Sequence, residues 1–123
     1  MKWIARKRYF KAMGINSDTF DLSRFQVTNV VGMKYINGMQ WTKRLKEGDE
    51  IVLIREPDNK YDSNAIKVCS LQEHQIGYIP KNTAKQISKE IDSKRNVKTY
   101  VVDNSNGYIK VLITINKNIG IGN

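Results

Sequence analysis

"EIVLIREPDNKYDSNAIKV", residues 50–68, places an apolar run, "EIVLI", and a shorter one, "AIKV", on either side of a polar loop. Short β-branched runs bounded by Pro, Asn, Asp and Ser read as strands joined by a loop. Within the loop, Pro57 fixes the entry, and Asp and Asn side chains bond nearby backbone amides, so "PDN" is turn chemistry with or without a ligand. Tyr61 is different, because no turn requires an aromatic there.

The same pattern extends outward. "FQVTNVVG" from residue 25 alternates with a β-branched bias, and "QIGYI" is a further short strand. "VKTYVVD" and "GYIKVLITI" flank "NSNG", a hairpin signal in which Asn106-Gly107 supplies positive backbone angles. Between the first two strands, "NGMQWTKRLKEGDE" holds one or two helical turns closed by Gly48, with Trp41 as a helix anchor. After Pro80, "KNTAKQISKEIDSKRN" predicts a helix with Asn82 or Thr83 as N-cap and Ala84, Ile87 and Ile91 along one face. Its other face carries Lys81, Lys85 and Lys89. At the start, Trp3, Phe10 and Met13 share a face of a short basic helix that Gly14 stops. Short strands at regular spacing with few helices predict a mainly β protein, a small antiparallel barrel with one or two short α-helices plus the N-terminal helix. The expected division is a basic extension over 1–24, the β domain over 25–118 and a tail over 119–123.

A chain of 123 residues, 40% hydrophobic and 27% charged, is long enough to bury a core without a staple. Cys69 and His74 are the single cysteine and histidine, which excludes an internal disulfide and a Cys/His zinc cluster and suits a reducing compartment. The longest apolar runs, "IVLI" and "VLITI", are too short for a membrane helix, and the first residues lack a secretory apolar stretch. A cytoplasmic location and no membrane partner are the expectation. The formal net charge of +9 attracts polyanions, and Lys2, Arg6, Lys7, Arg8 and Lys11 all precede the first acid, Asp18.

Several chemistries fit poorly. Asp58, Asp62 and Asn64 resemble part of a calcium loop, but Lys60 stands at a ligand position and neither the glycine nor the closing glutamate follows. Asp49, Glu50, Glu56, Asp58 and Asp62 supply carboxylates for a metal-dependent nuclease, without a recognisable spacing. Nothing ties Cys69 to His74 as a nucleophile and its base, and no glycine-rich phosphate loop opens a helix. No cofactor, catalytic residue or metal ligand is assigned.

"VVGMKYING" at 30–38, "GDEIVLIREPDNKYDSNAIKV" at 48–68 and "QIGYIPKNTA" at 75–84 together resemble the HIRAN domain, in order and at fitting intervals. The resemblance covers roughly residues 25 to 115. It implies an OB-like barrel that grips the 3′ end of single-stranded DNA, as in remodelling ATPases at stalled forks, and hence a role in DNA repair. It also implies single-stranded DNA or DNA ends as partners, with a separate helicase or nuclease, because no ATPase motif is present; oligomeric state is left open. Carried onto this sequence, the binding residues are Lys34, Tyr35, Asn59, Tyr61, Asp62, Tyr78, Lys81 and, by a weaker alignment, Tyr108. Lys34 stands where the family often has arginine, Lys60 replaces a common proline, and Ile36 replaces a second aromatic.

These residue types suit that task. Tyr35, Tyr61 or Tyr108 offer faces for bases, worth about 1 to 3 kcal/mol each, and Lys34 and Lys81 neutralise phosphates. Asp62 repels a phosphate but accepts a hydrogen bond from a terminal hydroxyl, so it selects ends. The plain alternative for Asp62 is a turn bond to the Asn64 and Ala65 amides. Arg55, Glu56 and Asn64 read as structural. Two other functions stay open: a nuclease or nuclease accessory using Glu56, Asp58 and Asp62, and a protein-interaction domain docking through the basic N-terminal helix.

Overall fold

β-branched residues that alternate or run together form the strands expected of them. In the computed structural model, which describes residues 25–33, 39–105 and 107–119 (backbone only at Met39 and from Asn116 on), these are β1 (Phe25–Asn29), β2 (Glu50–Arg55), β3 (Ile66–Cys69), β4 (Gln75–Tyr78), β5 (Arg95–Ser105) and β6 (Tyr108–Ile119). The helices are α1 (Met39–Thr42) and α2 (Lys81–Asp92). The N-terminal helix expected over 1–24 lies outside the described residues, as do Asn106 and residues 120–123.

All six strands are antiparallel in the order β1-β6-β5-β2-β3-β4. An isolated bridge then ties one edge to the other: Val31 N–H donates to Tyr78 O at 2.9 Å, and Tyr78 N–H donates to Val31 O at 2.8 Å. The bridge curls the sheet into a half-barrel, the OB-like form of the small barrel expected from the strand spacing, with its two edges meeting at this one point. It also explains Gly77. A Cβ at that position would lie 2.5 Å from Val31 O and 2.6 Å from Val30 Cγ1, so a side chain there forces the closing segments apart.

The hairpin is as expected, with Ser105 opposite Tyr108 and Gly107 at φ 78°. Register shifts at 95/96 and 101/103 break the long β5–β6 ladder, and such bulges let long strands bend. Inside, Ile66, Val68, Ile76, Val101, Ile109 and Val111 are fully buried. At roughly 25 cal/mol per Å² of apolar area, this core is the main force holding the strands together.

α2 departs from expectation at its start. Pro80, at φ −55° and ψ 144°, occupies the N-cap, no side chain caps the helix, and Asn82 and Thr83 lie inside it. β4 runs into the helix across only Ile79 and Pro80, and the proline ring supplies the extended entry angle itself. Ala84 N–H donates to Pro80 O at 2.8 Å. Thr83 is buried instead, accepting from Gln26 Nε2 at 3.3 Å, which ties the helix to β1. Ala84 and Ile87 enter the core and Ile91 packs against it, as the periodicity predicts. The single turn of α1 is held at its end by Asn104, whose Nδ2 donates to Thr42 O at 2.7 Å and Leu45 O at 2.6 Å. Gly48, at φ 92°, follows before β2.

Candidate functional site

The meander of β2, β3 and β4 has two ends. One carries the long polar loop from Glu56 to Ala65 together with the exit of β4 at Tyr78. The other carries the turn from Ser70 to His74 and lies against α1.

The polar loop is held by its own side chains. Glu56 N–H donates to Ala65 O at 2.9 Å, prolonging the β2–β3 ladder into the loop base. Asn59 Oδ1 then accepts from two successive backbone amides, Tyr61 at 2.9 Å and Asp62 at 3.1 Å, while its Nδ2 donates to Glu56 Oε1 at 3.1 Å. Asp62 Oδ1 accepts from the Asn64 amide at 2.9 Å, and Asp62 O accepts from Ala65 N–H at 3.0 Å. Small Asp and Asn side chains substitute for backbone partners here, so an irregular segment acquires a single shape. The turn bond expected at Asp62 therefore exists for Asn64 through the side chain, and for Ala65 through the main chain.

Arg55 fastens this loop to α2. Its guanidinium donates to Ala65 O at 2.9 Å and Ser63 O at 3.0 Å, and meets Asp92 with Nε–Oδ1 at 3.0 Å and Nη2–Oδ2 at 3.3 Å. A planar fork with four partners is what distinguishes arginine from lysine in this place. Ser88 Oγ adds a longer bond to Asn64 Oδ1 at 3.4 Å. The structural roles read for Arg55, Glu56 and Asn64 hold, but their partners were invisible in the sequence. Asp92 is 37 residues from Arg55, and Tyr78, whose hydroxyl donates to Glu56 Oε1 at 2.9 Å, is 22 residues from it. No local pattern signals such pairs.

The named binding residues fall into three groups. Asn59, Tyr61 and Asp62 share the loop. Tyr61 is 92% exposed, so its ring has no packing task, whereas Asp62 is half-buried beside it. Tyr78 meets the loop base, half-buried and bonded to Glu56, and Lys81, three residues on and the first residue of α2, is exposed. Burial raises the Tyr78 phenol above its ordinary pKa of 10.0, and the Glu56 carboxylate adds to the rise. Tyr108 opens β6 beside Ile109, whose carbonyl accepts from Val30 N–H at 2.9 Å, one residue before the Val31 bridge to Tyr78. Tyr108 is 70% exposed. Lys34 and Tyr35 lie outside the described residues.

The other end of the meander is built differently. Trp41 lies flat against His74, ring centroids 3.6 Å apart and planes 4° from parallel, with the Arg44 guanidinium 5.2 Å from the indole centre. Leu45, Asp49 and Leu71 join them around an open cleft of about 420 Å³. Trp41 is thus an anchor, as the sequence suggested, and its stack on His74, 33 residues away, has no local sequence signal. Cys69 is buried, and burial pushes its thiol above the ordinary 9.0, which disfavours the thiolate a nucleophile needs. Among the described residues no three His, Cys, Asp or Glu side chains converge as metal ligands. Glu56, one of the carboxylates considered for a nuclease, is already engaged by Asn59 and Tyr78.

Comparison with known proteins agrees with this architecture. Residues 23–119 match the HIRAN domain family. A helicase-like transcription factor of Oryctolagus cuniculus is 36% identical over 66 residues, 54% of this chain and 6% of that protein. A Fanconi-associated nuclease 1 homolog of Arabidopsis thaliana is 38% identical over 65 residues, 53% of this chain and 7% of that protein. The chain thus spans less than a tenth of the length of these curated relatives. The crystal structure of the HIRAN domain of human HLTF superposes with a TM-score of 0.65, and the NMR structure of that domain in its DNA-bound conformation with 0.56; each is 26% identical and covers 75% of this chain and 74% of the other. The barrel is OB-like, as the resemblance implied.

Proposed function

The chain belongs to the HIRAN domain family, and from that membership we propose that it is a DNA-binding module whose 56–65 loop holds the 3′-hydroxyl end of a single strand. The observation that carries this reading is Tyr61, a tyrosine ring 92% exposed on a loop whose backbone is locked on both sides of it. An exposed aromatic on a rigid support can stack on a base without first losing conformational freedom, which is how sequence-independent strand binders gain affinity. In this reading Lys81, exposed at the start of α2, neutralises a phosphate, and Tyr108, also exposed, offers a second ring face.

Asp62 supplies the selection. One carboxylate oxygen is bonded to the Asn64 amide, which fixes the group's orientation. The other accepts the terminal hydroxyl. A strand that continued past this point would bring a phosphate against the carboxylate, and like charges in a half-buried setting repel more strongly than in open water. Asn59 acts by holding the Tyr61 and Asp62 amides in place, and Tyr78 by bracing Glu56 beneath the loop.

The relatives include a helicase-like factor and a nuclease homolog, which supports a role beside such an enzyme at DNA ends, in repair or at stalled forks. The test is fluorescence anisotropy in EDTA with one short single strand ending in a 3′-hydroxyl or in a 3′-phosphate. The hydroxyl form should bind tighter. Equal binding of the two would remove end recognition and leave only a basic surface. A matched RNA strand in the same assay decides whether the 2′-hydroxyl is tolerated.

A further inference from the structure

α2 presents a row of three lysines that the end-binding reading uses only at its first member. Lys81, Lys85 and Lys89 are all exposed, and among the described residues none has a carboxylate partner. Both acids of the helix are engaged elsewhere: Asp92 with Arg55, and Glu90 with Arg95 at 3.9 Å. The lysines therefore form an uncompensated positive strip.

The direction of the strip follows from helix geometry. At about 100° per residue, Ser88 and Asp92 fall within roughly 20° of Lys81 around the axis, Lys85 about 40° further round and Lys89 about 80°. Ser88 and Asp92 are the residues that bond to the loop, through Asn64 and Arg55. Lys81 thus shares the angular flank of these contacts but lies about 10 Å before Ser88 along the axis, while Lys85 and Lys89, within about 5 Å of Ser88 along the axis, turn progressively outward into solvent. Successive members rise about 6 Å along the axis, a step comparable to the phosphate spacing of an extended single strand.

We propose that Lys85 and Lys89 carry the phosphates of nucleotides 5′ to the end held in the loop, so that α2 sets the length of strand the protein covers. This rests on the end-binding function above. The partner is an extended single strand; the regular spacing suits it better than an anionic membrane, which needs no such register.

The test is a salt series of anisotropy measurements in EDTA, using a 3′-hydroxyl trinucleotide and a decanucleotide, with wild type, the Lys85→Gln/Lys89→Gln protein and a Lys43→Gln/Lys46→Gln protein that makes the same charge change at the opposite end. Circular dichroism checks that each is folded. Wild type should gain affinity with length. The Lys85/Lys89 variant should bind the trinucleotide as wild type does but lose about tenfold on the decanucleotide, its salt slope becoming shallower by about 1.4, which is 0.7 for each lost phosphate contact. The Lys43/Lys46 control should match wild type. If the Lys85/Lys89 variant retains the full length gain, or loses equally on both lengths along with the control, the assignment of the row is overturned while end binding stands. Wild-type protein that binds neither strand but binds phosphatidylserine vesicles through the row overturns both readings, as does failure of wild type to bind anything.

Discussion

At the 56–65 end of the β2–β3–β4 meander Tyr61 is 92% exposed, while at the 70–74 end Trp41 lies 3.6 Å from the His74 ring. Both are aromatic residues beside a polar turn, and hydropathy does not separate them. The difference comes from what holds the surrounding backbone. Around Tyr61 the Asn59, Asp62 and Arg55 side chains satisfy the loop's amides and carbonyls, so the ring is not needed for stability. Around Trp41 a one-turn helix has little hydrogen bonding of its own and depends on the indole's packing against the core and His74. A ring freed from packing by a polar scaffold is available to a ligand, and a ring that provides the packing is not.

The widest separation of the two ends should come from truncating the two rings. Trp41→Ala should cost about 3 kcal/mol of stability, seen as a lowered denaturant midpoint, with strand affinity of the folded protein unchanged. Tyr61→Ala should leave the midpoint where it is and weaken strand binding by about 2 kcal/mol, near thirtyfold. If the effects were exchanged, the functional contrast between the ends would be wrong.

Next comes the scaffold. Arg55→Ala removes bonds to Ser63 O, Ala65 O and Asp92, and should cost about 2 kcal/mol in stability as well as reduce binding, because the loop loses its attachment to α2. Arg55→Lys should rescue little, since an ammonium cannot reproduce the planar fork. Hydrogen exchange should show faster opening in the 56–65 amides and unchanged protection around Trp41.

Asn59→Ala is a finer probe. It leaves the Tyr61 and Asp62 amides without their shared acceptor, so strand affinity should fall by about 1 kcal/mol with a small change in midpoint. An unchanged affinity would mean that Tyr61 and Asp62 need no such positioning.

The smallest effect is alkaline. Burial raises the Tyr78 phenol above 10.0 in the fold, so its contribution is complete below that value and declines as pH rises through and beyond it. Tyr78→Phe should lower stability by about 1 kcal/mol at neutral pH through the lost Glu56 bond, and the gap to wild type should narrow above about pH 10. Tyr100, whose phenol is also raised by burial, is present in both proteins and cancels from the difference. Thermal melts across that range measure it.

Much of the barrel was legible because strands, the 105–108 hairpin and the apolar face of α2 each depend on residues a few positions apart. The loop motif was legible for the same reason: Asn59 bonds to residues two and three positions onward, and Asp62 to one two positions onward. The start of α2 was misplaced because capping chemistry favoured Asn82 or Thr83, whereas the short link from β4 put Pro80 there and drew Thr83 inward to Gln26. Tertiary structure alone decided that Arg55 meets Asp92, that Tyr78 braces Glu56, that Asn104 closes α1 62 residues away, and that Gly77 must be bare for Val31 to close the barrel. Sequence carries the periodicity and the donor and acceptor types within each segment. Which distant donor meets which acceptor depends on how the sheet curls and where its edges join, and that is a property of the packed chain as a whole.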